Sequence, residues 1–213
     1  MGTHMIKGLN ESSLRQWIKD SLQNNTHTLA AGYQGKTLLF KDDNHHLVIK
    51  TPHGKGLIKY VHTLMLRHEN RVYEKLANFE GCPRCYGLID NRYLVLAFID
   101  GPPIRKKQPD NHEAYFKKLF EFIEDMHQLQ VAHMDLKKKD NLLVSRDDNP
   151  CLIDFGTAVI KKTGFHPLNT FLFNLAKRFD YNAWVKHKYH NNMHNLSEED
   201  SIYSQRSLIE KFS

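Results

Sequence analysis

The spacing of apolar residues changes along this chain, and this change limits the folds it can adopt. Before residue 100, short apolar or β-branched runs alternate with turn residues, a pattern typical of antiparallel strands. Between 57 and 76, apolar residues recur at helical intervals instead. We therefore expect an antiparallel sheet interrupted by one helix. The expected strands are 27–31, 36–41, 47–51, 84–89 and 93–99.

Helical spacing dominates the rest of the chain. Residues 13–23 and 112–130 each predict a helix, the second with an apolar face wide enough to be buried. Two brief apolar runs, 142–144 and 151–153, predict a hairpin because the residues between them favour a turn. The remaining residues, 165–213, predict two or three further helices. The whole pattern is that of an α+β protein.

A turn-rich segment, 100–103, separates the two patterns and marks the expected boundary between two lobes. The first four residues resemble the remnant of an expression tag before a natural start at Met5. The expected organisation is a tag remnant at 1–4, an N-terminal lobe at 5–100 and a C-terminal lobe at 101–213.

The composition narrows the classes of function. The chain has 213 residues, with 30 Lys and Arg against 24 Asp and Glu, and the resulting net charge of +6 favours an anionic partner. No apolar run reaches the roughly 18 residues needed to span a bilayer, and three Cys cannot form a disulfide framework. We therefore expect a cytoplasmic protein, with contact at the inner face of a membrane or delivery into a host cell left open.

One segment in the second half carries several chemically active residues. Residues 133–141 read HMDLKKKDN, and Asp154-Phe155-Gly156 begins thirteen residues after Asn141. They resemble the H-R-D-x-x-x-x-N catalytic loop and the D-F-G metal site of the protein-kinase-like superfamily. The resemblance implies a two-lobed protein-kinase-like fold with an antiparallel β N-lobe and a trimmed, mainly helical C-lobe.

Elements upstream of this segment follow in the order that the same family has. The run Leu-Val-Ile-Lys at 47–50 resembles its V-A-I-K strand, whose Lys reaches the α- and β-phosphates of ATP. Glu69, on the next expected helix, can hold Lys50 in place through an ion pair. The resemblance also implies that backbone groups near Ala97 and Ile99 bind adenine.

A partial glycine-rich loop precedes that strand. Gly32 and Gly35, followed by Lys36, resemble the second half of the family's G-x-G-x-x-G loop, where backbone N–H groups approach phosphate closely. The first glycine of the family's loop falls on Ala30, so the loop is incomplete. The resemblance implies that Gly32, Gly35 and Lys36 contact the nucleotide.

The resemblance assigns a role to each remaining residue of the motif. It implies ATP as phosphate donor and Mg²⁺ as the metal, with Mn²⁺ as the alternative. Asp154 and Asn141 would hold the metal, and Asp135 would accept or orient the proton of the acceptor hydroxyl. Lys137 would neutralise the γ-phosphate, while Lys50 with Glu69 completes the expected catalytic set.

Several positions depart from the family pattern. Five residues lie between Asp135 and Asn141 where the family has four, so either the loop contains an insertion and Asn141 binds the metal, which we favour, or Asp140 takes that role. Met134 replaces the family's Arg, which makes activation by loop phosphorylation unexpected. No A-P-E follows Gly156. A trimmed C-lobe of this kind resembles those of the RIO-like and lipopolysaccharide-kinase-like branches and of small bacterial effector kinases.

The sequence constrains the phosphate acceptor less than it constrains the phosphate donor. Asp135-Leu136-Lys137 resembles the Ser/Thr-kinase form of the loop and favours a protein acceptor. The missing A-P-E and the basic composition favour the alternative, an anionic glycolipid or a sugar such as a lipopolysaccharide core sugar. A pseudokinase scaffold is the non-enzyme alternative. We expect a monomer. We also expect no binding of nucleic acid, because no aromatic residues are interleaved with the basic clusters.

Two further groups have ordinary structural explanations. His133 is expected to be a neighbour of Phe155 and Tyr73 rather than to act in catalysis. Cys82 and Cys85 have the spacing of metal ligands, but no second pair of that spacing occurs in the chain, so zinc is not favoured.

Overall fold

A computed structural model gives the structure of residues 6, 8–32, 35–190, 192 and 196–204. The chain divides into two compact units, each described here by itself. One unit is Met1–Ala77 with Pro83–Phe98, and the other is Asn78–Cys82 with Ile99–Ser213. The fold is mixed α+β with an antiparallel sheet. The expected fold class is therefore confirmed, and it is consistent with a kinase-like, two-lobed fold.

A five-stranded antiparallel sheet forms the centre of the first unit. Its strands are β1 (Thr28–Ala31), β2 (Gly35–Lys41), β3 (His46–Pro52), β4 (Cys85–Ile89) and β5 (Tyr93–Ala97). Across the sheet they lie in the order β1-β2-β3-β5-β4. The prediction of three consecutive antiparallel strands followed by a hairpin is confirmed. Strand β3 is the middle strand, with β2 and β5 on either side.

The described part of this unit also contains the helices α1 (Glu11–Asn24) and α2 (Gly56–Lys75). Helix α1 begins after Asn10, whose side chain accepts a hydrogen bond from the backbone N–H of Ser12, as residues at this position commonly do. Its apolar face packs on the sheet and buries the core of the unit. That core consists of Leu14, Ile18, Leu38, Phe40, Leu47, Ile49, Ile89, Tyr93 and Val95.

The second unit is mainly helical, with α3 (His112–Gln128), α4 (Pro167–Lys188) and the short α5 (Glu198–Ser201). The Trp184 indole N–H donates to the backbone carbonyl of Phe116 at 2.7 Å and joins α4 to α3. An ion pair of 2.7 Å between Lys188 and Asp200 ties α5 to the end of α4. Both described helices after residue 165 agree with the helical pattern of that region.

Two small antiparallel ladders frame the loops of this unit. Strands β7 (Leu142–Val144) and β8 (Pro150–Leu152) form the expected hairpin. Strands β6 (Val131–Ala132) and β9 (Val159–Ile160) also pair, and they were not expected because two residues are too short to show a period. Since β6 leads into residue 133 and β9 follows residue 157, this ladder brackets the predicted catalytic segment.

No helix among the described residues is both long and apolar enough to cross a membrane.

Candidate active site

The predicted pair of Lys50 and Glu69 is formed within the first unit. Lys50 lies on β3 between the buried residues Ile49 and Thr51, and alternation along a strand turns its side chain to the opposite face from theirs. Glu69 lies on the buried side of α2, next to Val72 and Tyr73. The distance from Lys50 Nζ to Glu69 Oε1 is 2.7 Å.

The two charged side chains of this pair are largely buried. The Glu69 side chain is only 3% exposed and that of Lys50 19%. A carboxylate removed from water to this extent needs a cationic partner, and that requirement fixes the Lys50 ammonium at one place on the sheet. The ion pair was predicted through the resemblance to the V-A-I-K strand and is present, and its role toward ATP stays a prediction.

Gly35 has a steric role that the motif does not describe. A Cβ at this position would lie 1.7 Å from the backbone carbonyl oxygen of Thr51, so only glycine allows β2 to pair this closely with β3. A hydrogen bond of 2.9 Å runs from the Gly32 N–H to the Gly35 carbonyl. Lys36 Nζ donates to the Asn25 side chain at 2.6 Å. Nucleotide contacts by Gly32, Gly35 and Lys36 therefore stay predictions.

Two residues of the partial glycine motif, Tyr33 and Gln34, lie outside the described residues. The predicted adenine-binding residues fall in different units, with Ala97 at the end of β5 and Ile99 at the start of the second unit's longer segment. The Ala97 N–H donates to the carbonyl of Arg84 at 2.8 Å. Adenine binding near Ala97 and Ile99 stays a prediction, and the N–H of Ala97 already has a protein partner.

The second unit brings Asp135 and Asn141 into contact. The Asn141 Nδ2 group donates to the Asp135 backbone carbonyl at 3.0 Å and to Asp135 Oδ2 at 3.3 Å. Asn141 is buried, and Asp135 is partly exposed. A backbone hydrogen bond of 3.0 Å from the Ile153 N–H to the Asn141 carbonyl connects Asn141 to the residue before Asp154. These contacts join the predicted base to one predicted metal ligand, Asn141, and link Asn141 to the residue that precedes the other.

Asp140, the alternative metal ligand, points elsewhere. It forms an ion pair with Arg105, and both side chains are more than half exposed. A 3₁₀ turn, Lys139–Asn141, buries Asn141 and leaves Asp140 outside. The extra residue of the loop is therefore accommodated in this turn, and Asn141 is the residue held beside Asp135.

A lysine does contact Asp135, but it is Lys138. Its Nζ lies 2.5 Å from Asp135 Oδ2, and this hydrogen bond raises the pKa of Lys138 from its ordinary value, with the negative charge of Asp154 adding to the effect. Lys137, to which the resemblance assigns neutralisation of the γ-phosphate, is exposed and has no ion pair among the described residues. Nothing in the order of residues distinguishes three consecutive lysines, so sequence reasoning missed Lys138.

Asp154 begins the turn that carries the D-F-G residues. Its backbone is left-handed, with φ 68°, a conformation that is uncommon outside glycine and is often found at functional sites. Phe155, next in the chain, is fully buried and its ring centroid lies 4.6 Å from that of His133. His133 Nε2 donates to the Ile153 carbonyl at 3.0 Å. The expected packing of His133 on Phe155 is confirmed.

A buried carboxylate from α4 supports the same loop and was not predicted. Asp180 has no exposed surface, and its two oxygens accept from the backbone N–H groups of His133 and Met134, both at 2.8 Å. His127 Nε2 adds a third contact at 3.0 Å. Met134 has a left-handed φ of 69°, so Asp180 stabilises a strained turn directly before Asp135.

Helix α4 also contacts the loop through His187. Its Nε2–H donates to the Leu136 carbonyl at 2.7 Å. Burial lowers the pKa of this imidazole from its ordinary 6.5, and the nearby cations Lys139, Lys186 and His190 lower it further, while the bond to Leu136 opposes them.

The pKa of the Cys85 thiol is raised to about 11 by burial, which makes it a poor metal ligand near neutral pH.

The donor set suits a hard divalent cation. Because Nδ2 of Asn141 faces Asp135, its amide oxygen is the other end of the group, and no described residue donates to it. An amide oxygen and the carboxylate of Asp154 are the kind of oxygen ligands that Mg²⁺ and Mn²⁺ prefer. The residues therefore fit the implied metal.

Each unit thus contains one contact between residues of the predicted motifs, Lys50 with Glu69 in the first and Asp135 with Asn141 in the second. No family model matches the chain, but similar proteins exist. The probable serine/threonine-protein kinase fnkB of Dictyostelium discoideum is 34% identical over 99 residues, 41% of this chain and 18% of that protein. The hormonally up-regulated neu tumor-associated kinase of Mus musculus is 33% identical over 107 residues, 44% of this chain and 14% of that protein.

A third relative is a probable serine/threonine-protein kinase, the KIN1 homolog of Encephalitozoon cuniculi. It is 36% identical over 86 residues, 38% of this chain and 14% of that protein. The chain therefore spans less than a fifth of the length of the curated relatives it matches. Together these similarities support a protein-kinase-like family for the chain, without indicating a subgroup.

Proposed function

We propose that this chain is an ATP- and Mg²⁺-dependent kinase that transfers the γ-phosphate of ATP to a Ser or Thr hydroxyl of a protein. The observation that carries the proposal is the 2.7 Å ion pair between Lys50 and the buried Glu69. It orients a cation at the strand position where the kinase motif requires one. The matched relatives, all named as kinases, support the same activity.

The residues of the first unit bind the phosphate donor. Lys50 neutralises charge on the α- and β-phosphates, and Glu69 keeps its ammonium in place, so little side-chain entropy is lost when ATP binds. Gly32 and Gly35 lie on the neighbouring hairpin, where glycine lets the backbone approach the phosphates closely, and Lys36 adds a positive charge. Backbone groups near Ala97, and near Ile99 of the second unit, contact adenine.

Asp135 acts on the acceptor. Its carboxylate accepts a hydrogen bond from the acceptor hydroxyl and takes its proton as the new bond forms between the hydroxyl oxygen and the γ-phosphorus. The bond from that phosphorus to the β–γ bridging oxygen breaks, and ADP leaves with the electron pair. Asp135 then releases the proton to water. Positioning and charge stabilisation supply most of the rate enhancement in such a transfer.

Asn141 and Asp154 would hold the metal ion. When bound, Mg²⁺ supplies neutralisation of the phosphate charge. Asn141 has a second task, because its Nδ2 group donates to Asp135 and couples the metal ligand to the base. His133, Asp180 and His187 do not touch the reacting atoms. Asp180 and His187 hold the backbone on either side of Asp135, and the His133 ring accepts from the Asp135 N–H.

The acceptor and the activity are tested together by incubating the protein with γ-labelled ATP, Mg²⁺ and a cell lysate whose own kinases have been inactivated by heat. The matched control is the Asp154→Ala variant, which retains every residue of the first unit. We expect phosphoserine or phosphothreonine on protein bands, and no such label with Asp154→Ala.

Three results would contradict this proposal in different ways. Label found only in a lipid or saccharide fraction would favour an anionic glycolipid acceptor. Equal labelling by the wild type and by Asp154→Ala would show that a contaminating kinase is responsible. Absence of any transfer, together with a melting temperature unchanged by ATP and Mg²⁺, would indicate a pseudokinase.

A further inference from the structure

Three consecutive lysines follow Asp135 in the loop, and only the middle one touches it. Lys138 Nζ lies 2.5 Å from Asp135 Oδ2. Lys137 and Lys139 are exposed and have no ion pair among the described residues. The three side chains have the same charge and flexibility, so the difference between them comes from the conformation of the loop.

The contacts of Asp135 fall on one of its two oxygens. Lys138 Nζ and Asn141 Nδ2 both donate to Oδ2. No side chain in the described part of the chain donates to Oδ1. The carboxylate is therefore held by one edge, and Oδ1 is the oxygen left to accept a hydrogen bond from a substrate hydroxyl.

The backbone of the loop explains why Lys138 reaches Oδ2. A turn closes from Asp135 to Lys138, with the Lys138 N–H donating to the Asp135 carbonyl at 3.3 Å, and it places the two side chains side by side. The next turn runs from Lys138 to Asn141, where the Asn141 N–H donates to the Lys138 carbonyl at 2.9 Å. Lys138 is the residue shared by both turns.

We propose that Lys138, rather than Lys137, is the lysine of this loop that serves the transfer reaction, as a positioning residue that holds Asp135 Oδ2 and directs Oδ1 to the acceptor hydroxyl. This assignment rests on the proposed kinase function. It follows from the one-residue-longer loop, whose second turn starts at Lys138 and sends Asp140 outward to Arg105. Lys137 then lies at the surface, where it can contact an acceptor but not Asp135.

The test uses the lysine run as its own control. Phosphotransfer rates are measured for the wild type and for Lys137→Ala, Lys138→Ala, Lys138→Arg and Lys139→Ala, with ATP and acceptor varied separately. We expect Lys138→Ala to lower kcat by about tenfold or more because the base loses its orientation, with the KM for ATP unchanged. Lys138→Arg should restore part of the loss, and Lys139→Ala should stay within about twofold of wild type.

A second measurement does not need activity. Melting temperatures are compared for Asp135→Asn, Lys138→Ala and the double variant, and for the same cycle with Lys139→Ala. We expect the first cycle to be non-additive by about 1–3 °C, as for a partly exposed ion pair, and the second to be additive.

These two measurements separate failure of this assignment from failure of the kinase proposal. A larger kcat loss for Lys137→Ala than for Lys138→Ala, or equal losses for all three lysines, would overturn the assignment while leaving the kinase intact. An additive cycle for Asp135 and Lys138 would overturn it as well. Absence of transfer by the wild type would refute the kinase proposal, and with it any catalytic role for Lys138.

Discussion

Two ion pairs of the candidate site differ in how they are built. Lys50 and Glu69 are nineteen residues apart in the chain and join a strand to a helix, with the carboxylate 3% exposed. Asp135 and Lys138 are three residues apart within one loop, and the lysine side chain is 65% exposed. The first pair is held by regular elements packed on a core, and the second by the local turn alone.

The difference between the two pairs shows where a sequence pattern is sufficient to predict which side chains meet. Regular elements fix which face a side chain occupies, so the first pair, which the kinase resemblance implies, forms where the motif places it. In the loop, one extra residue changes which of three lysines meets the carboxylate. We therefore expect substitutions of the first pair to have large, uniform effects, and substitutions in the loop to distinguish between adjacent residues.

The largest effect among side chains that do not touch the reacting atoms is expected at Glu69. Glu69→Gln removes the charge that orients Lys50 and leaves that ammonium partly buried without its anion, so we expect phosphotransfer to fall about 100-fold. Glu74→Gln is the matched control, because Glu74 lies on the same helix and bonds to Asn70 instead. Steady-state rates with varied ATP provide the measurement, and equal rates for both variants would show that the pair is only structural.

In the loop, we expect neighbouring residues to differ sharply. Asn141→Ala should lower the rate by at least about tenfold, since it removes both an oxygen ligand and the donor to Asp135. Asp140→Ala should stay within about twofold, because it breaks only an exposed pair with Arg105. The dependence of the rate on Mg²⁺ concentration should shift for Asn141→Ala alone. The opposite ranking would mean that Asp140 binds the metal.

Asp180 should affect stability more than any exposed residue of the loop. Asp180→Ala leaves the N–H groups of His133 and Met134 and the His127 ring buried without their acceptor. We expect a loss of about 3 kcal/mol or more, seen as a melting temperature lower by about 6 °C. Lys139→Ala, which changes an exposed side chain of the same loop, serves as the comparison. A shift of less than a degree would mean that the loop keeps its conformation without α4.

The smallest effect is a pH dependence from His187. Since its pKa is lowered in the folded protein, the unfolded chain binds a proton first as the pH falls below 6.5. Its contribution to stability is therefore complete above 6.5 and is lost as the pH falls through the folded pKa. We expect the fall in melting temperature from pH 7 to pH 5 to be smaller by about 1–3 °C in His187→Gln than in the wild type. An identical slope in both proteins would contradict this role.

Most of the framework of the site could be predicted because it follows from periodicity. The strand runs and helix α2 depend on side-chain periodicity, which a single sequence displays, whereas Glu69 was assigned through the kinase resemblance. The contacts of Lys138 depend on loop dihedral angles, which have no periodic signature. Asp180 lies on a helix far along the chain, and no local pattern distinguishes it from other helical acids. Its role appears only when the backbone N–H groups of residues 133 and 134 are placed beside it.

The central claim is that the motif residues Lys50 and Asp154 are both required for phosphoryl transfer. The most direct test is the rate of γ-phosphate transfer for wild type, Lys50→Ala, Asp154→Ala and the double variant, each shown to be folded by its melting curve. We expect each single variant to lose about 1000-fold, and the double variant to lose no more than the worse single one, because residues that act as a unit are not additive. A wild-type rate from Asp154→Ala, or from Lys50→Ala, would contradict the claim.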